Sequence, residues 1–268
     1  MNIVEIEKAI LKRYRSRLYR PFVNAIADYN MISPGDIIAV CISGGKDSFV
    51  MAKLFQEIAK HGKIDFSLKF IVMNPGYKEE ILLRLVENAN HLQIPIVIKE
   101  TDVFRVARKL GGDKPCYMCA RMRRGFLYEY ARLCGCNKIA LGHHFNDVIE
   151  TTMLNILYGG TFEIMMPKLK AKNFPGMELI RPMIYVKEKD IINFVNYIGI
   201  NTENGDCGIR DKYLTKREEI KKLILSLKKV NKDIDINIFK SGENINLDRV
   251  VKWRHQGRKF SFLEYYDN

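Results

Sequence analysis

The sequence contains no apolar run long enough to cross a bilayer, although 47% of its 268 residues are hydrophobic. Residues 1–20, MNIVEIEKAILKRYRSRLYR, form a charged amphipathic pattern with neither the apolar core nor the cleavage site of a secretory signal. The glutamates in this segment also argue against an arginine-rich transit peptide. We therefore expect a cytoplasmic protein that has no contact with a membrane.

The sequence also has few cysteines and comparatively few acidic residues. Six cysteines in a cytoplasmic chain of this length do not predict a disulfide framework, which leaves metal ligation, redox chemistry or burial. The 31 acidic residues stand against 44 lysines and arginines, so the formal net charge is +13. This excess favours a polyanionic partner such as nucleic acid, and a solvated basic surface is the alternative.

Basic residues are concentrated in four segments rather than spread evenly. These segments are residues 12–20, 121–124, 216–229 and 252–259. Aromatic residues interleave the first and the last segment, so that bases could stack there while phosphates pair with the cations. In the second segment, Arg121, Arg123 and Arg124 could clamp phosphates bidentately, or could form an exposed helix face.

Apolar runs and helical periodicity alternate along most of the chain. Strands are expected at residues 37–43, 66–73, 94–100, 138–144 and 177–183, and a hairpin or extended loop at 161–173. Helices are expected at residues 4–30, 47–60, 78–92, 117–134, 146–158 and 187–198. This alternation predicts an α/β fold with a Rossmann-like, doubly wound parallel sheet. After about residue 200 the alternation ends, and we expect a short helical or irregular appendage.

Three polar motifs follow predicted strands, at the edge of the sheet where ligands of such folds bind. They are SGGKDS at 43–48, MNPG at 73–76 and LGHHFND at 141–147. His143 and His144 could serve an active site there, and one of them could donate a hydrogen bond to a phosphate. Asp147 could position a magnesium ion, or could simply cap the helix that follows.

The SGGKDS loop is shorter than a Walker loop, which needs four residues between its first glycine and its Gly-Lys pair. Gly44 and Gly45 permit backbone angles that other residues avoid, and the next helix directs its positive end at the same point. The groups expected around a bound anion are Ser43, Gly44, Gly45, Lys46, Asp47 and Ser48. The loop therefore predicts a site for a small, multiply charged oxyanion such as pyrophosphate; a plain glycine turn is the alternative.

Cys116 and Cys119 form a Cys-x-x-Cys pair, which by itself is compatible with zinc, redox chemistry or an iron–sulfur cluster. At this spacing on a helix both thiolates face the same side. A structural zinc ion needs four ligands, yet the downstream NGDCGIR segment supplies the single Cys207. Three thiolates suit a [4Fe-4S] cluster with one open iron. The remaining cysteines, Cys41, Cys134 and Cys136, are expected to be buried.

The SGGKDS loop after a strand resembles the PP-loop of the N-type ATP pyrophosphatases. The resemblance implies a Rossmann-like fold and cleavage of ATP between its α and β phosphates, with AMP transferred to a substrate oxygen. It also implies that Cys41 and Met73 line the adenine and ribose side, that Gly142 lies near the nucleotide, and that Asp47 helps to hold Mg²⁺.

Two longer segments resemble the tRNA 2-thiocytidine synthetase family. They are PCYMCARMRRGFLYEYARLCGCNKIALGHHFNDVIETTMLNILYGG and MMPKLKAKNFPGMELIRPM, and the similarity extends from about residue 5 to about residue 225. The resemblance implies a [4Fe-4S] cluster on Cys116, Cys119 and Cys207. It further implies a tRNA substrate whose cytidine C2 oxygen is adenylated, a sulfur donor such as a cysteine desulfurase or sulfide, and a homodimer.

With this family in view, the chain divides into an N-terminal helical segment, a PP-loop ATPase domain and a C-terminal appendage, at residues 1–30, 31–200 and 201–268. Lys168 and Lys170 join the three arginines as expected tRNA contacts. A thiouridine synthetase, a lysidine synthetase and a non-catalytic protein that binds ATP and tRNA are the alternatives, and the three cysteines disfavour the lysidine synthetase.

Overall fold

A six-stranded sheet forms the centre of the computed structural model, which describes residues 1–110, 115–202 and 212–266. Its strands are Ile37–Ile42 (β1), Ser67–Asn74 (β2), Ile96–Glu100 (β3), Lys138–Ala140 (β4), Lys168–Lys170 (β5) and Glu178–Ile180 (β6). The order across the sheet is β3-β2-β1-β4-β6-β5, and all neighbours are parallel except the antiparallel edge strand β5. The predicted Rossmann-like fold is confirmed.

Helices connect the strands at nearly the predicted positions. They are Ile3–Leu11 (α1), Arg20–Asp28 (α2), Lys46–His61 (α3), Glu79–His91 (α4), Val103–Leu110 (α5), Pro115–Leu133 (α6), Phe145–Gly159 (α7), Glu188–Ile198 (α8), Lys212–Val230 (α9) and Ile234–Ser241 (α10). A π-helical segment, Arg15–Tyr19, joins α1 to α2. None of the helices in the described ranges is long and apolar enough to span a membrane.

Strand β1 is buried on both faces because its side chains alternate between two apolar cores. Ile38, Val40 and Ile42 pack in a core with residues of α2, α3 and α8. Ala39 and Cys41 face the opposite side, where α6 covers the sheet. Burial on both faces is typical of the central strand of a parallel sheet. Cys41 and Cys136 are buried, as expected, whereas Cys134 is half-buried.

The N-terminal helices belong to the same core as α3. Ile6, Ile10 and Phe22 are fully buried, and the Phe22 ring meets Phe55 of α3 edge-on at 5.1 Å between centroids. The apolar face of this segment is therefore used within the chain itself.

The described C-terminal part, residues 212–266, is largely helical. It contains the 19-residue helix α9, and Ile220 and Ile224 on one side of α9 are buried against Phe145 and Ile149 of α7. The length of α9 was not predicted, because its many lysines obscure an apolar pair at helical spacing. A two-stranded hairpin, Lys252–His255 (β7) and Arg258–Ser261 (β8), follows α10.

Candidate active site

The SGGKDS loop joins the carboxyl end of β1 to the first turn of α3. Gly44 has a φ of +87°, and an added Cβ would lie 3.1 Å from Leu85 Cδ1, so the position suits glycine on both counts. The Ser48 hydroxyl donates to the Gly45 carbonyl at 2.8 Å and accepts the Ser43 amide at 3.2 Å. Gly45 caps α3 without a side chain, which leaves the positive end of the helix open to an anion.

A cavity of about 300 Å³ lies at the point where the strand order reverses, between β1 and β4. Ligands of open α/β sheets bind at this switch point. The cavity, called the switch-point cavity below, is lined by Cys41, Ser43, Asp47, Ser48, Met73, Arg123, Gly142, His143 and Asp147, among others. The fold thus brings the phosphate loop, the end of β2 and the GHHFND motif into one site.

Gly142 allows two of these loops to approach closely. A Cβ at this position would lie 3.3 Å from both the Asp47 carbonyl carbon and the Ser48 amide nitrogen. Those atoms are backbone and cannot rotate away, so a side chain at Gly142 would displace the start of α3. The glycine therefore sets the distance between the phosphate loop and the GHHFND motif.

Asp47 carries a carboxylate oxygen that is well placed for a cation. Among the described residues, its Oδ1 atom is buried and has no hydrogen-bond partner, while Oδ2 lies 3.3 Å from Lys46 Nζ. Burial raises the pKa of Asp47. Asp147 lines the same cavity, so two carboxylates face a space in which hard cations such as Mg²⁺ prefer oxygen ligands. The site fits a magnesium ion held with nucleotide phosphates.

His143 and His144 have different environments although they are neighbours. The His144 side chain caps α7: its Nδ1 accepts the Asp147 amide at 3.3 Å, and Asp147 Oδ2 accepts the His144 amide at 2.8 Å. His143 instead lines the cavity, and its Nδ1 accepts a hydrogen bond from Arg181 Nε at 3.3 Å. Burial and the Arg181 guanidinium lower the pKa of His143 to about 4, so a neutral imidazole with a proton on Nε2 is favoured.

Of the two roles considered from the sequence for Asp147, its contacts show the helix cap. It caps α7 through Oδ2, and its Oδ1 accepts Arg217 Nη2 at 2.6 Å. Arg217 also donates through Nε to Glu150 at 2.8 Å. Since Arg217 belongs to α9, a helix outside the predicted ATPase domain reaches the edge of the active site.

A chain of two salt bridges links α9 to the phosphate loop. Lys221 Nζ lies 2.6 Å from Glu188 Oε2, and Glu188 Oε1 lies 3.4 Å from Lys46 Nζ. The sequence interpretation missed Glu188, Lys221, Arg217 and Arg181 as site residues. The basic segment 216–229 was the available signal, but it indicated an external surface and not a partner for internal carboxylates.

The predicted RNA-contacting cations have different positions. Arg123 lines the switch-point cavity, and its Nη2 lies 3.5 Å from the Tyr77 hydroxyl, while Arg121 and Arg124 are exposed on α6. The structure does not bring Lys168 and Lys170 into the cavity, because both lie on the edge strand β5. Lys168 Nζ instead donates a hydrogen bond to the Asn30 carbonyl at 2.9 Å and forms a salt bridge with Glu178 Oε2 at 3.2 Å.

The predicted cluster ligands are described in part. Cys119 is half-buried on α6, one helical turn before Arg123. Cys116 lies at the start of the same helix, and its side chain is outside the described residues, as is the whole of Cys207. Segment 203–211, which contains Cys207, leads directly into α9.

The doubly wound sheet, the short glycine loop and the paired carboxylates define an ATP-binding protein of the PP-loop class. A PP-loop domain profile matches residues 14–226. The chain is 35% identical over 263 residues to a tRNA-cytidine(32) 2-sulfurtransferase of Vibrio campbellii, covering 94% of this chain and 85% of that one. It is 33% identical over 262 residues to the same enzyme of Pelobacter propionicus, covering 96% of each. The chain therefore belongs to the PP-loop family, and within it to the tRNA-cytidine(32) 2-sulfurtransferase family.

A solved structure with a similar fold is the U34-tRNA thiolase NcsA from Methanococcus maripaludis with its [4Fe-4S] cluster. The two structures superpose with a TM-score of 0.70 and cover 86% of this chain and 78% of that one. Their sequences are 22% identical, so the likeness concerns the fold.

Proposed function

We propose that this protein is an ATP-dependent tRNA sulfurtransferase that converts a cytidine to 2-thiocytidine. The observation that carries the proposal is the switch-point cavity, where a short anion loop, two carboxylates and a neutral histidine lie beside the helix that bears the Cys-x-x-Cys pair. The relatives named tRNA-cytidine(32) 2-sulfurtransferase support the same activity. Those relatives also support a tRNA substrate for this chain.

ATP binds with its phosphates on residues 43–48 and with its adenosine on the side of Cys41 and Met73. The open end of α3 and the Lys46 ammonium stabilise the charge of the phosphates. Asp47 and Asp147 would hold Mg²⁺, which supplies Lewis-acid stabilisation of the departing pyrophosphate. Gly142 keeps the loop and the GHHFND motif at the distance that this arrangement requires.

Activation begins when the C2 oxygen of the cytidine attacks the α-phosphate of ATP. The new O–P bond replaces the bond to pyrophosphate, which leaves with its electron pair. His143 is held by Arg181 with its Nε2 proton available, so it donates a hydrogen bond to an α-phosphate oxygen as negative charge develops there. The product is a cytidine adenylated on its C2 oxygen, whose leaving group is now AMP.

Replacement of the oxygen requires a sulfur nucleophile next to the adenylated base. Cys116, Cys119 and Cys207 would hold a [4Fe-4S] cluster, and the cluster would supply the sulfur nucleophile. Arg123, one turn after Cys119, lines the cavity, and Arg217, five residues into α9, contacts Asp147. The position of Arg123 supports placing Cys119 close to the adenylated base. Free sulfide serves as the sulfur donor directly, and a cysteine desulfurase serves when a thiol reductant supplies the two electrons that bring its persulfide sulfur to the sulfide level.

Binding of tRNA involves Arg121, Arg123 and Arg124 on α6, with Lys168 and Lys170 on β5 at the edge of the sheet. Among these five residues, Arg123 lines the cavity, which supports assigning it the phosphate next to the target base. We also propose that the enzyme works as a homodimer in the cytoplasm.

The test is mass spectrometry of nucleosides from the tRNA of a strain that lacks the gene. We expect 2-thiocytidine to disappear, to return with the wild-type gene, and to stay absent with Lys46→Ala or Cys119→Ala. Retention of 2-thiocytidine in the deletion strain would overturn the proposal. Loss of a thiouridine in its place would redirect the activity to a different base.

A further inference from the structure

The C-terminal hairpin of β7 and β8 has a regular geometry that fixes which side chains share a face. Gln256 and Gly257 form its two-residue turn with φ values of 50° and 80°, as a type I′ turn requires. Trp253 pairs with Phe260 and Arg254 pairs with Lys259. Since successive residues of a strand point to opposite faces, these two pairs lie on opposite sides of the hairpin.

One face of the hairpin is a stack of aromatic rings. The Trp253 ring lies parallel to Phe260 at 5.6 Å and to Tyr265 at 5.9 Å. Trp253 and Phe260 are half-buried by this stacking. The aromatic face therefore holds the hairpin together and is already covered in part by the chain's own rings.

The opposite face is cationic and exposed. Arg254 and Lys259 lie directly opposite each other across the two strands, and Lys252 lies two residues before Arg254 on the same face. Like charges in directly opposite positions destabilise a strand pair, and an isolated two-stranded hairpin has little stability to spare. Segment 245–266 contains five basic and two acidic residues, and one of the two, Glu264, accepts the Ser261 amide at 2.9 Å. An external anion would relieve the repulsion between Arg254 and Lys259.

We infer that the cationic face formed by Lys252, Arg254 and Lys259 binds the phosphate backbone of the tRNA, a conclusion that rests on the function proposed above. The face carries charge without apolar side chains, which favours a polyphosphate chain over a lipid surface. Same-face residues of one strand are about 7 Å apart, similar to the spacing of successive phosphates along an RNA strand. The contact is to the backbone, so it adds affinity and orientation and does not read the base sequence.

The test uses the double variant Arg254→Gln/Lys259→Gln of the full chain with purified tRNA. We expect the Kd for tRNA to rise about tenfold, as for the loss of two exposed ion pairs. The slope of log K against log salt should become shallower by about two. The thermal midpoint should stay the same or rise, because the substitution removes the repulsion across the hairpin.

Two controls keep this test decisive. Trp253 is the single tryptophan of the chain, so an unchanged fluorescence maximum shows that the hairpin is intact. Lys63→Gln/Lys232→Gln removes the same charge from two exposed positions, and we expect its Kd to match the wild type. Equal tRNA binding by wild type and hairpin variant, or equal weakening by the control, would overturn the inference. Failure of the wild type to bind or thiolate tRNA would instead overturn the proposed function.

Discussion

Two side chains of the switch-point cavity, Asp47 and His143, have environments that suit a bound nucleotide. Asp47 keeps one buried oxygen without a hydrogen-bond partner among the described residues, which is costly unless a cation binds there. His143 keeps a neutral imidazole beside a guanidinium, since burial and Arg181 both oppose its protonation. The Asp47 oxygen and the neutral His143 imidazole therefore favour the binding of a nucleotide together with its metal ion.

The variant Gly142→Ala tests the close approach of the two loops. Its methyl group would meet the backbone of Asp47 and Ser48 at about 3.3 Å, so α3 must shift away from the GHHFND motif. We expect the KM for ATP to rise about tenfold in an assay of pyrophosphate release, because a small misplacement of positioning groups is costly. Gly125→Ala on α6, where a Cβ would meet nothing within 4 Å, is the matched control and should leave KM unchanged. An unaffected KM in Gly142→Ala would contradict the role of this glycine.

Arg181→Gln tests the environment of His143. Removing the guanidinium should raise the pKa of His143 from about 4, with burial still holding it below the ordinary value. NMR titration of the imidazole measures this shift, and Lys170→Gln on β5 should leave the titration unchanged. Because the folded wild type resists protonation of His143, its free energy of unfolding falls as the pH drops below the ordinary histidine pKa. That loss should be smaller in Arg181→Gln, and equal losses would contradict the coupling.

At the scale of elements, helix α9 is the main addition that the structure makes to the predicted site. It packs on α7 through Ile220 and Ile224, and the same packing carries Arg217 to Asp147 and Lys221 to Glu188. The contact between Arg217 and Asp147 joins residues 70 positions apart in the chain. A helix that lies outside the sheet therefore helps to position the groups at its carboxyl edge.

Arg217→Met tests this connection. The substitution leaves Asp147 and Glu150 without their guanidinium partner, so we expect a lower thermal midpoint and a fall in kcat of about tenfold or more. Arg217→Lys should recover part of the stability but less of the rate, since lysine cannot form both bonds in the same geometry. The exposed Lys222→Met on the same helix should resemble the wild type in both assays. Wild-type kcat in Arg217→Met would show that α9 is not part of the site.

The strands and the polar loops after them could be predicted because each is a local pattern. The apolar run before SGGKDS predicts β1, and the rules for parallel sheets place the loop at the ligand-binding edge. Arg181, Glu188 and Arg217 could not be assigned in this way, because their partners are set by tertiary packing and not by spacing. The predicted strand at 138–144 extended through the GHH residues, whereas β4 comprises Lys138–Ala140.

In the whole molecule, the proposed function requires ATP activation and sulfur delivery to take place in one cavity. The helix with the Cys-x-x-Cys pair lines the cavity through Arg123, and α9, which follows Cys207 in the sequence, contacts Asp147 at the edge of the cavity. We expect the protein purified without oxygen to be brown and to contain four iron atoms per chain, as a [4Fe-4S] cluster requires. Cys207→Ala should lose the cluster and keep ATP binding, whereas Cys134→Ala should keep both. Stoichiometric zinc without iron, or a cluster that persists in Cys207→Ala, would refute this ligand set.

In the proposed reaction, the cytidine C2 oxygen attacks the α-phosphate of ATP and then leaves as part of AMP. The most direct measurement uses a tRNA labelled with ¹⁸O at the C2 oxygen of the target cytidine, in a single turnover without oxygen. We expect the ¹⁸O to appear in AMP, with one labelled AMP for each 2-thiocytidine formed. Unlabelled AMP beside newly formed 2-thiocytidine would contradict it.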